Sequence, residues 1–125
     1  MKCKVLVVDD SSLARRLTRK ILEDLGHEVE EAADGPQVLE RHALNQHDLV
    51  VLDLVMHGMD GLQVLQKFRE LNPNAVVIVS TADIQRSTRD QVKEAGAAAM
   101  LNKPLNKETF AETLTLVLAG GDPWN

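Results

Sequence analysis

Aromatic side chains and cysteine are scarce in this sequence. Its 125 residues include two phenylalanines, one tryptophan, no tyrosine and a single cysteine, Cys3. So few rings argue against the stacking platforms that bind single-stranded nucleic acid. One cysteine cannot form an internal disulfide, so we expect the reducing environment of the cytoplasm, with Cys3 as a small buried side chain.

Long apolar runs and excess positive charge are lacking as well. The first apolar run, residues 5–8, is followed at once by Asp9 and Asp10, so we expect neither a signal peptide nor a membrane span. A net charge of −5 argues against binding the phosphate backbone of nucleic acid. The remaining composition, 44% hydrophobic and 26% charged, fits one globular domain. We place this domain at residues 1–119 and a C-terminal tail at residues 120–125.

Short apolar runs alternate with amphipathic stretches along the chain. The apolar runs predict five buried strands, at residues 5–8, 28–32, 49–52, 76–79 and 99–102. The clearest helical stripe has an apolar residue at every fourth position, at Leu13, Leu17, Ile21 and Leu25. Alternating strands and helices predict an α/β fold, in which a parallel sheet carries helices on both faces.

Polar side chains follow the ends of the predicted strands. They are Asp9 and Asp10 after the first, Asp53 at the end of the third, Ser80 and Thr81 at the fourth, and Lys103 after the fifth. Because ligands of such folds bind at the carboxyl ends of the strands, we expect these side chains to converge. Carboxylates held together repel one another, and a hard divalent cation, Mg²⁺ or Mn²⁺, relieves that repulsion. A carboxylate beside Mg²⁺ can attack phosphorus, while an ammonium and a hydroxyl stabilise the phosphoryl oxygens.

Four segments together resemble a known family. Residues 7–11, residues 53–61, residues 80–82 and the pair Lys103-Pro104 are similar to the motifs of response-regulator receiver domains in two-component signalling. They stand in the family's order, and the resemblance extends over residues 4–119. It implies a chemotaxis-type, single-domain regulator. The implied fold is flavodoxin-like, a doubly wound five-stranded parallel sheet in the order 2-1-3-4-5 with five helices.

The resemblance implies a metal-assisted phosphoacceptor at Asp53. Asp53 and Asp10 would bind Mg²⁺ directly, together with the backbone carbonyl of Val55, and Asp9 would assist through a water molecule. A sensor histidine kinase or a small acyl phosphate would donate the phosphoryl group. The domain would catalyse only its own phosphorylation and dephosphorylation, and so would not be an enzyme in the usual sense. The modified domain, a monomer or weak dimer, would bind a downstream protein through its fourth helix and fifth strand.

Thr81 and Lys103 would hold the phosphoryl group. The small Ala82 beside Thr81 favours it over the neighbouring hydroxyl of Ser80. The resemblance also implies a cis bond between Lys103 and Pro104, which would aim the lysine inward.

Three features depart from the family pattern. His57 stands in the loop where the family usually has proline. Met100 stands at the family's switch aromatic, so an aromatic flip is not expected to be the switch here. Val55 and Asp83 occupy positions that tune the lifetime of the phosphoryl group in relatives.

Two other functions compete with this one. A phosphohydrolase of the haloacid-dehalogenase class also uses an aspartate and Mg²⁺, but it needs a second aspartate two residues after the nucleophile, where this chain has Val55. A protein-binding module that works without phosphorylation would bind its partner equally with and without an acyl-phosphate mimic. On the fourth helix, Arg86, Arg89 and Lys93 form one row, either a solvated face or a docking surface for an acidic partner. The four histidines have no metal-ligand spacing, and we expect them at the surface.

Overall fold

Every predicted strand is present in the computed structural model, which describes residues 2–56 and 59–124. The strands are β1 (Lys4–Val8), β2 (Glu28–Ala32), β3 (Leu49–Asp53), β4 (Val55–Met56), β5 (Met59–Asp60), β6 (Val77–Thr81) and β7 (Ala99–Asn102). The helices are α1 (Ser12–Asp24), α2 (Gly35–Asn45), α3 (Gly61–Leu71), α4 (Arg86–Glu94) and α5 (Lys107–Leu118).

Five of the strands form one parallel sheet. Its order is β2-β1-β3-β6-β7, with every neighbouring pair parallel. The short strands β4 and β5 pair only with each other, antiparallel, outside this sheet. Counted along the sheet alone, the order is therefore 2-1-3-4-5, which confirms the expected flavodoxin-like fold. The short β4-β5 pair was not expected.

Side chains alternate between the two faces of the sheet and pack into two separate layers. On one face, Val8, Leu52 and Val79 belong to a core that also contains residues of α2, α3 and α4. On the other face, Val7 and Ile78 pack with residues of α1 and α5. Because successive residues of a strand point to opposite faces, this alternation also decides which helices each strand-end side chain faces.

Helix α1 forms as its periodic leucines predict, but those leucines do not all enter the core. Leu13 and Leu17 remain 65% and 57% exposed, whereas Thr18 and Leu22 are buried. The spacing of apolar residues predicts a helix, but the neighbouring elements decide which face is covered. The exposed leucines lie near the carboxyl edge of the sheet.

Two of the histidines are not at the surface, so that expectation is wrong for them. His42 is 6% exposed, and its ring packs edge-on against Phe68 at a centroid distance of 4.9 Å. The His47 side chain is also buried, with its Nε2 atom 2.7 Å from Glu30 Oε1. The His47 backbone N–H donates to His42 Nδ1 at 3.2 Å, which joins the end of α2 to the segment before β3. His57 lies outside the described residues. Cys3 is buried, as expected.

The expected C-terminal tail folds back onto the domain. Trp124 packs against the core layer of α2, α3 and α4, on the far side of the sheet from α5. No helix in the described part of the chain is both long and apolar enough to cross a bilayer.

Candidate functional site

Three carboxylates meet at the carboxyl edge of the sheet. Strands β1 and β3 are neighbours, with Val8 opposite Leu52, so the next residues, Asp9 and Asp53, emerge side by side. One carboxylate oxygen from each of Asp9, Asp10 and Asp53 lies within 4.8 Å of the others. Oxygen ligands of Mg²⁺ lie 2.0–2.1 Å from the ion, so two of them are at most about 4.2 Å apart. The three oxygens are therefore near the spacing of ligands around one such ion, and they would draw closer together to coordinate it directly.

Lys103 reaches the same cluster from β7. Its Nζ atom lies 2.8 Å from Asp9 Oδ2 and 3.4 Å from Asp53 Oδ2. The backbone N–H of Lys103 donates to the Thr81 carbonyl at 2.8 Å, which extends the pairing of β6 with β7 by one residue. The bond from Lys103 to Pro104 is cis, as expected. The structure therefore brings together three carboxylates and one ammonium from three separate strand ends.

The electrostatics of the cluster favour an additional cation. Burial raises the pKa of Asp53 above its ordinary value, and the charge of Asp9 adds to this effect. Lys103 and the Val55 backbone N–H act in the opposite direction without cancelling it. Burial alone would lower the pKa of Lys103, but the hydrogen bond to Asp9 and the charge of Asp53 outweigh it, so the pKa is raised. One ammonium is thus shared among carboxylates that it does not fully neutralise.

The two candidate hydroxyls lie on opposite faces of the sheet. Ser80 is directly opposite Asp53 in the β3-β6 register, so its side chain belongs to the same face as the Asp53 carboxylate. Thr81 is fully buried and follows Val79 on the α3/α4 face, where its Oγ1 accepts a hydrogen bond from the Asp83 N–H at 3.1 Å. The Thr81 hydroxyl is therefore tied toward α4 in this state, and its assignment over Ser80 stays a prediction.

The remaining predicted residues surround the cluster. The Val55 backbone N–H donates to Asp53 Oδ1 at 3.2 Å, while the Val55 side chain is 68% exposed. Ala82 and Pro104 are exposed, and Met100 is partly buried against the α2/α3/α4 core. The role of the Val55 carbonyl as a metal ligand stays a prediction.

Gly61 is needed for the loop that follows Asp53. Its N–H donates to the Leu54 carbonyl at 3.0 Å, and a Cβ added at Gly61 would lie 2.4 Å from Leu54 Cα. No side chain fits so close to backbone, so glycine at this position lets α3 begin directly against the loop that carries the acidic cluster.

Sequence analysis missed the residues that hold the acidic loop from behind. Arg15, on the first turn of α1, donates from one guanidinium nitrogen to the Asp9 carbonyl at 2.5 Å. Its Nε donates to Glu31 Oε1 at 3.1 Å, and Arg19 donates to the other oxygen of Glu31 at 2.7 Å. The sequence shows only that Arg15 stands near the start of α1, shortly after the acidic pair. That position does not reveal that its guanidinium contacts a backbone carbonyl.

Residues 5–115 match the family model described as the response regulator receiver domain. The chain belongs to this family. The receiver domain is 32% identical to the chemotaxis protein CheY of Halobacterium salinarum over 118 residues, which cover 94% of this chain and 98% of that protein. It superposes on the chemotaxis protein CheY4 of Vibrio cholerae with a TM-score of 0.85, at 32% identity, over 92% of this chain and 98% of that one.

Receiver domains also occur within much longer relatives. The sensor protein EvgS of Escherichia coli is 32% identical over 114 residues, which cover 91% of this chain but only 10% of that protein. The matching segment thus makes up nearly all of one relative and a small part of another.

An apolar groove opens beside the carboxylate cluster of the receiver domain. It has a volume of about 560 Å³ and lies between α1 and the segment after β7. Leu17 and Ile21 line one side, Pro104 and Leu105 line the other, and Lys103 lies at its end. Leu17 of α1 is exposed and does not pack into the core, and it borders the groove beside the site.

Proposed function

We propose that Asp53 is the phosphoacceptor of this receiver domain and that Asp9, Asp10 and Asp53 hold the required Mg²⁺ together with the Val55 carbonyl. The observation that carries the proposal is the meeting of three carboxylates within 4.8 Å, with the Lys103 ammonium 3.4 Å from Asp53. Bound Mg²⁺ would supply positive charge to the transferred phosphoryl oxygens.

The chemistry assigned to the chain's own residues is a nucleophilic displacement at phosphorus. An Asp53 carboxylate oxygen forms the new P–O bond, and the bond from phosphorus to the donor breaks, so that the donor leaves with its electron pair. Lys103 neutralises one phosphoryl oxygen, and the Thr81 hydroxyl donates to another once its side chain has turned toward Asp53. Hydrolysis of the acyl phosphate later returns Asp53 to its starting state.

The donor is proposed to be a histidine kinase, with small acyl phosphates as substitutes. A phosphohistidine is carried on a protein, so its donor must dock close to Asp53, whereas acetyl phosphate needs no docking surface. The groove between α1 and the segment after β7 suits this role because it is apolar, borders the site at Lys103 and includes the exposed Leu17. We assign to it an apolar helical surface of the kinase that presents the phosphohistidine.

The proposed acceptor can be tested by mass. Incubation with acetyl phosphate and Mg²⁺ should add one phosphate to the intact protein, and chelation of the metal should prevent this. The variant Asp53→Asn should acquire none. Asp60→Asn is the matched control, because Asp60 is an exposed aspartate near the same loop that caps α3 through the Leu62 N–H, and asparagine caps equally well. The assignment would be refuted if Asp53→Asn still acquired a phosphate while Asp60→Asn did not. It would also be refuted if the native protein acquired none.

Two further measurements separate the alternative functions. A phosphohydrolase would release inorganic phosphate from many phosphate esters in repeated turnovers. The position where that class needs its general acid carries Val55, an exposed side chain that cannot transfer a proton. A binding module independent of phosphorylation would bind its partner with the same affinity before and after treatment with beryllofluoride, an acyl-phosphate mimic. We propose instead that the mimic changes that affinity, and that the partner contacts the surface of α4 and β7.

A further inference from the structure

The residues after α5 form a strap around the edge of the sheet. Gly120 adopts a positive φ of 83°, and the Gly121 N–H donates to the Leu116 carbonyl at 2.9 Å, so the chain turns sharply at the end of the helix. The strap, residues 120–124, then crosses from the α5 side to the α4 side. A hydrogen bond of 2.9 Å from the Trp124 N–H to Asp122 Oδ1 holds its last turn.

Trp124 fastens the strap at two points that belong to different elements. Its Nε1–H donates to the Ala97 carbonyl, in the turn before β7, at 2.9 Å. The guanidinium carbon of Arg89, on α4, lies 4.9 Å from the centre of the indole ring, within the range of a cation–π contact. The ring also packs against the core that contains Val92 and Ala97. The indole therefore fits one particular placement of α4 relative to the start of β7.

A series of contacts connects this placement of α4 to the end of β6. The Thr81 hydroxyl accepts from the Asp83 N–H at 3.1 Å. Asp83 in turn accepts through Oδ2 from the Thr88 hydroxyl at 2.6 Å and through Oδ1 from the Gln85 N–H at 2.8 Å, at the start of α4. Thr88 immediately precedes Arg89. Between the Thr81 hydroxyl and the indole ring of Trp124, each group contacts the next.

To donate to a phosphoryl group on Asp53, the Thr81 hydroxyl would have to turn from the α4 face toward the Asp53 carboxylate, and this rotation would break the bond that it accepts from the Asp83 N–H. When that hydroxyl turns toward the site, the Asp83 N–H loses its acceptor, so Asp83 can shift and carry with it Thr88, which donates to the Asp83 carboxylate from the first turn of α4. Arg89 then moves relative to Ala97, and a ring that bonds to both can no longer satisfy both. The attachment of Trp124 to both Arg89 and Ala97 fits one placement of α4 relative to β7, and any other placement weakens it.

We propose that the strap is a sensor of the phosphorylation state, docked through Trp124 when Asp53 is unmodified and released when Asp53 is phosphorylated. Its release uncovers the edge of α4 and the start of β7. The proposal rests on the proposed function, because it takes the modification of Asp53 as its trigger. Coupling of this kind is reciprocal, so weakening the strap must favour the modified state by the same factor, typically about fivefold or more.

The test uses the fluorescence of Trp124, the only tryptophan of the chain. Emission and acrylamide quenching are recorded for the full chain with Mg²⁺, before and after acetyl phosphate, while mass spectrometry of the same samples gives the phosphorylated fraction. Phosphorylation should shift the emission to longer wavelength and increase quenching. If no phosphate is added, the proposed function fails and the trigger fails with it. If phosphate is added and the fluorescence is unchanged, the strap proposal alone is overturned.

Three variants separate docking from coupling. Arg89→Ala should expose the tryptophan in the unmodified protein, whereas Arg86→Ala, an exposed arginine on the same helix, should not. Thr88→Val keeps the shape of the side chain but removes its hydroxyl, so it should be phosphorylated normally while the fluorescence response is reduced. Trp124→Ala should bind beryllofluoride with Mg²⁺ about fivefold or more tightly than the native chain. Equal beryllofluoride affinities in the two proteins would overturn the proposal even if the fluorescence changed.

Discussion

The charge balance at the carboxylate cluster can be tested by replacing Lys103 with methionine. The Lys103 ammonium lies 2.8 Å from Asp9 and 3.4 Å from Asp53, and no other cation contacts these two carboxylates among the ion pairs of the described residues. Lys103→Met keeps most of the length and the apolar part of the side chain while it removes the charge. Asp9 and Asp53 are then left buried and unpaired.

The expected loss of stability is about 2–3 kcal/mol. Removal of one partner of a buried ion pair costs about 3–5 kcal/mol, because the other charge stays buried without compensation. The Lys103 side chain is 24% exposed, so solvent already screens part of the interaction, and the expected cost falls to the lower end of that range or just below it. For a chain of this size that loss lowers the melting temperature by roughly 10 °C. The pKa of Lys103 is raised in the folded state, so the charged ammonium stabilises the fold. This contribution is fully present at neutral pH and is lost only as the pH rises through the raised pKa, so the variant should be less stable at neutral pH.

Mg²⁺ should reverse this loss. With no ammonium to compete for the carboxylates, the variant should bind the ion more tightly than the native domain. If the variant binds the ion about 100 times more tightly, saturating Mg²⁺ stabilises it by about 2.7 kcal/mol more than it stabilises the native domain, which is similar to the expected loss. The variant should therefore be much less stable than the native domain in chelator and nearly as stable in saturating Mg²⁺, although it should no longer signal.

Urea unfolding and thermal melts, each with chelator and with a Mg²⁺ titration, measure both effects. Lys107→Met is the matched control, since Lys107 lies 3.9 Å from Asp24 in an exposed pair and its loss should cost no more than about 1 kcal/mol. If Lys103→Met costs no more than Lys107→Met in chelator, the ammonium does not balance the carboxylates. If Mg²⁺ stabilises the native and Lys103→Met domains equally, the ion and the ammonium do not share the same site.

Two further predictions concern the donor groove and the response to acid. Leu17→Glu should slow phosphorylation by the cognate kinase at least about tenfold, since burying an unpaired charge costs more than 1.4 kcal/mol, yet leave acetyl phosphate labelling unchanged. Leu71→Glu, at an equally exposed leucine (57%) on α3, should affect neither donor. Burial, and to a smaller extent the charge of His47, lowers the pKa of His42. The folded state therefore resists protonation of His42 more than the unfolded state does, so stability should fall as the pH drops below about 6.5. His42→Asn keeps a hydrogen-bond acceptor and should reduce the slope of the free energy of unfolding against pH by up to about 1.4 kcal/mol per pH unit. An unchanged slope between pH 7.5 and 5.5 would exclude His42 as a source of this pH dependence.

Local patterns were sufficient to predict the type and order of the elements. The short apolar runs that lead to Asp53 and Thr81 are typical of buried strands, and a parallel sheet places its strand ends on one edge. The meeting of Asp9, Asp53 and Lys103 follows from this topology and not from any one motif. The strand order of the sheet came from the family resemblance, since the alternation of elements is compatible with more than one order.

Contacts between distant parts of the chain could not be predicted in this way. The exposure of Leu13 and Leu17 depends on what packs against α1, and the burial of His42 depends on the position of α3. The donation from Arg15 to a backbone carbonyl leaves no trace in residue type. Trp124, expected on a tail, is held by Arg89 and Ala97, which are distant in sequence. Periodicity records how a segment folds on itself, whereas the covered faces and bonded groups depend on partners that only the assembled chain brings near.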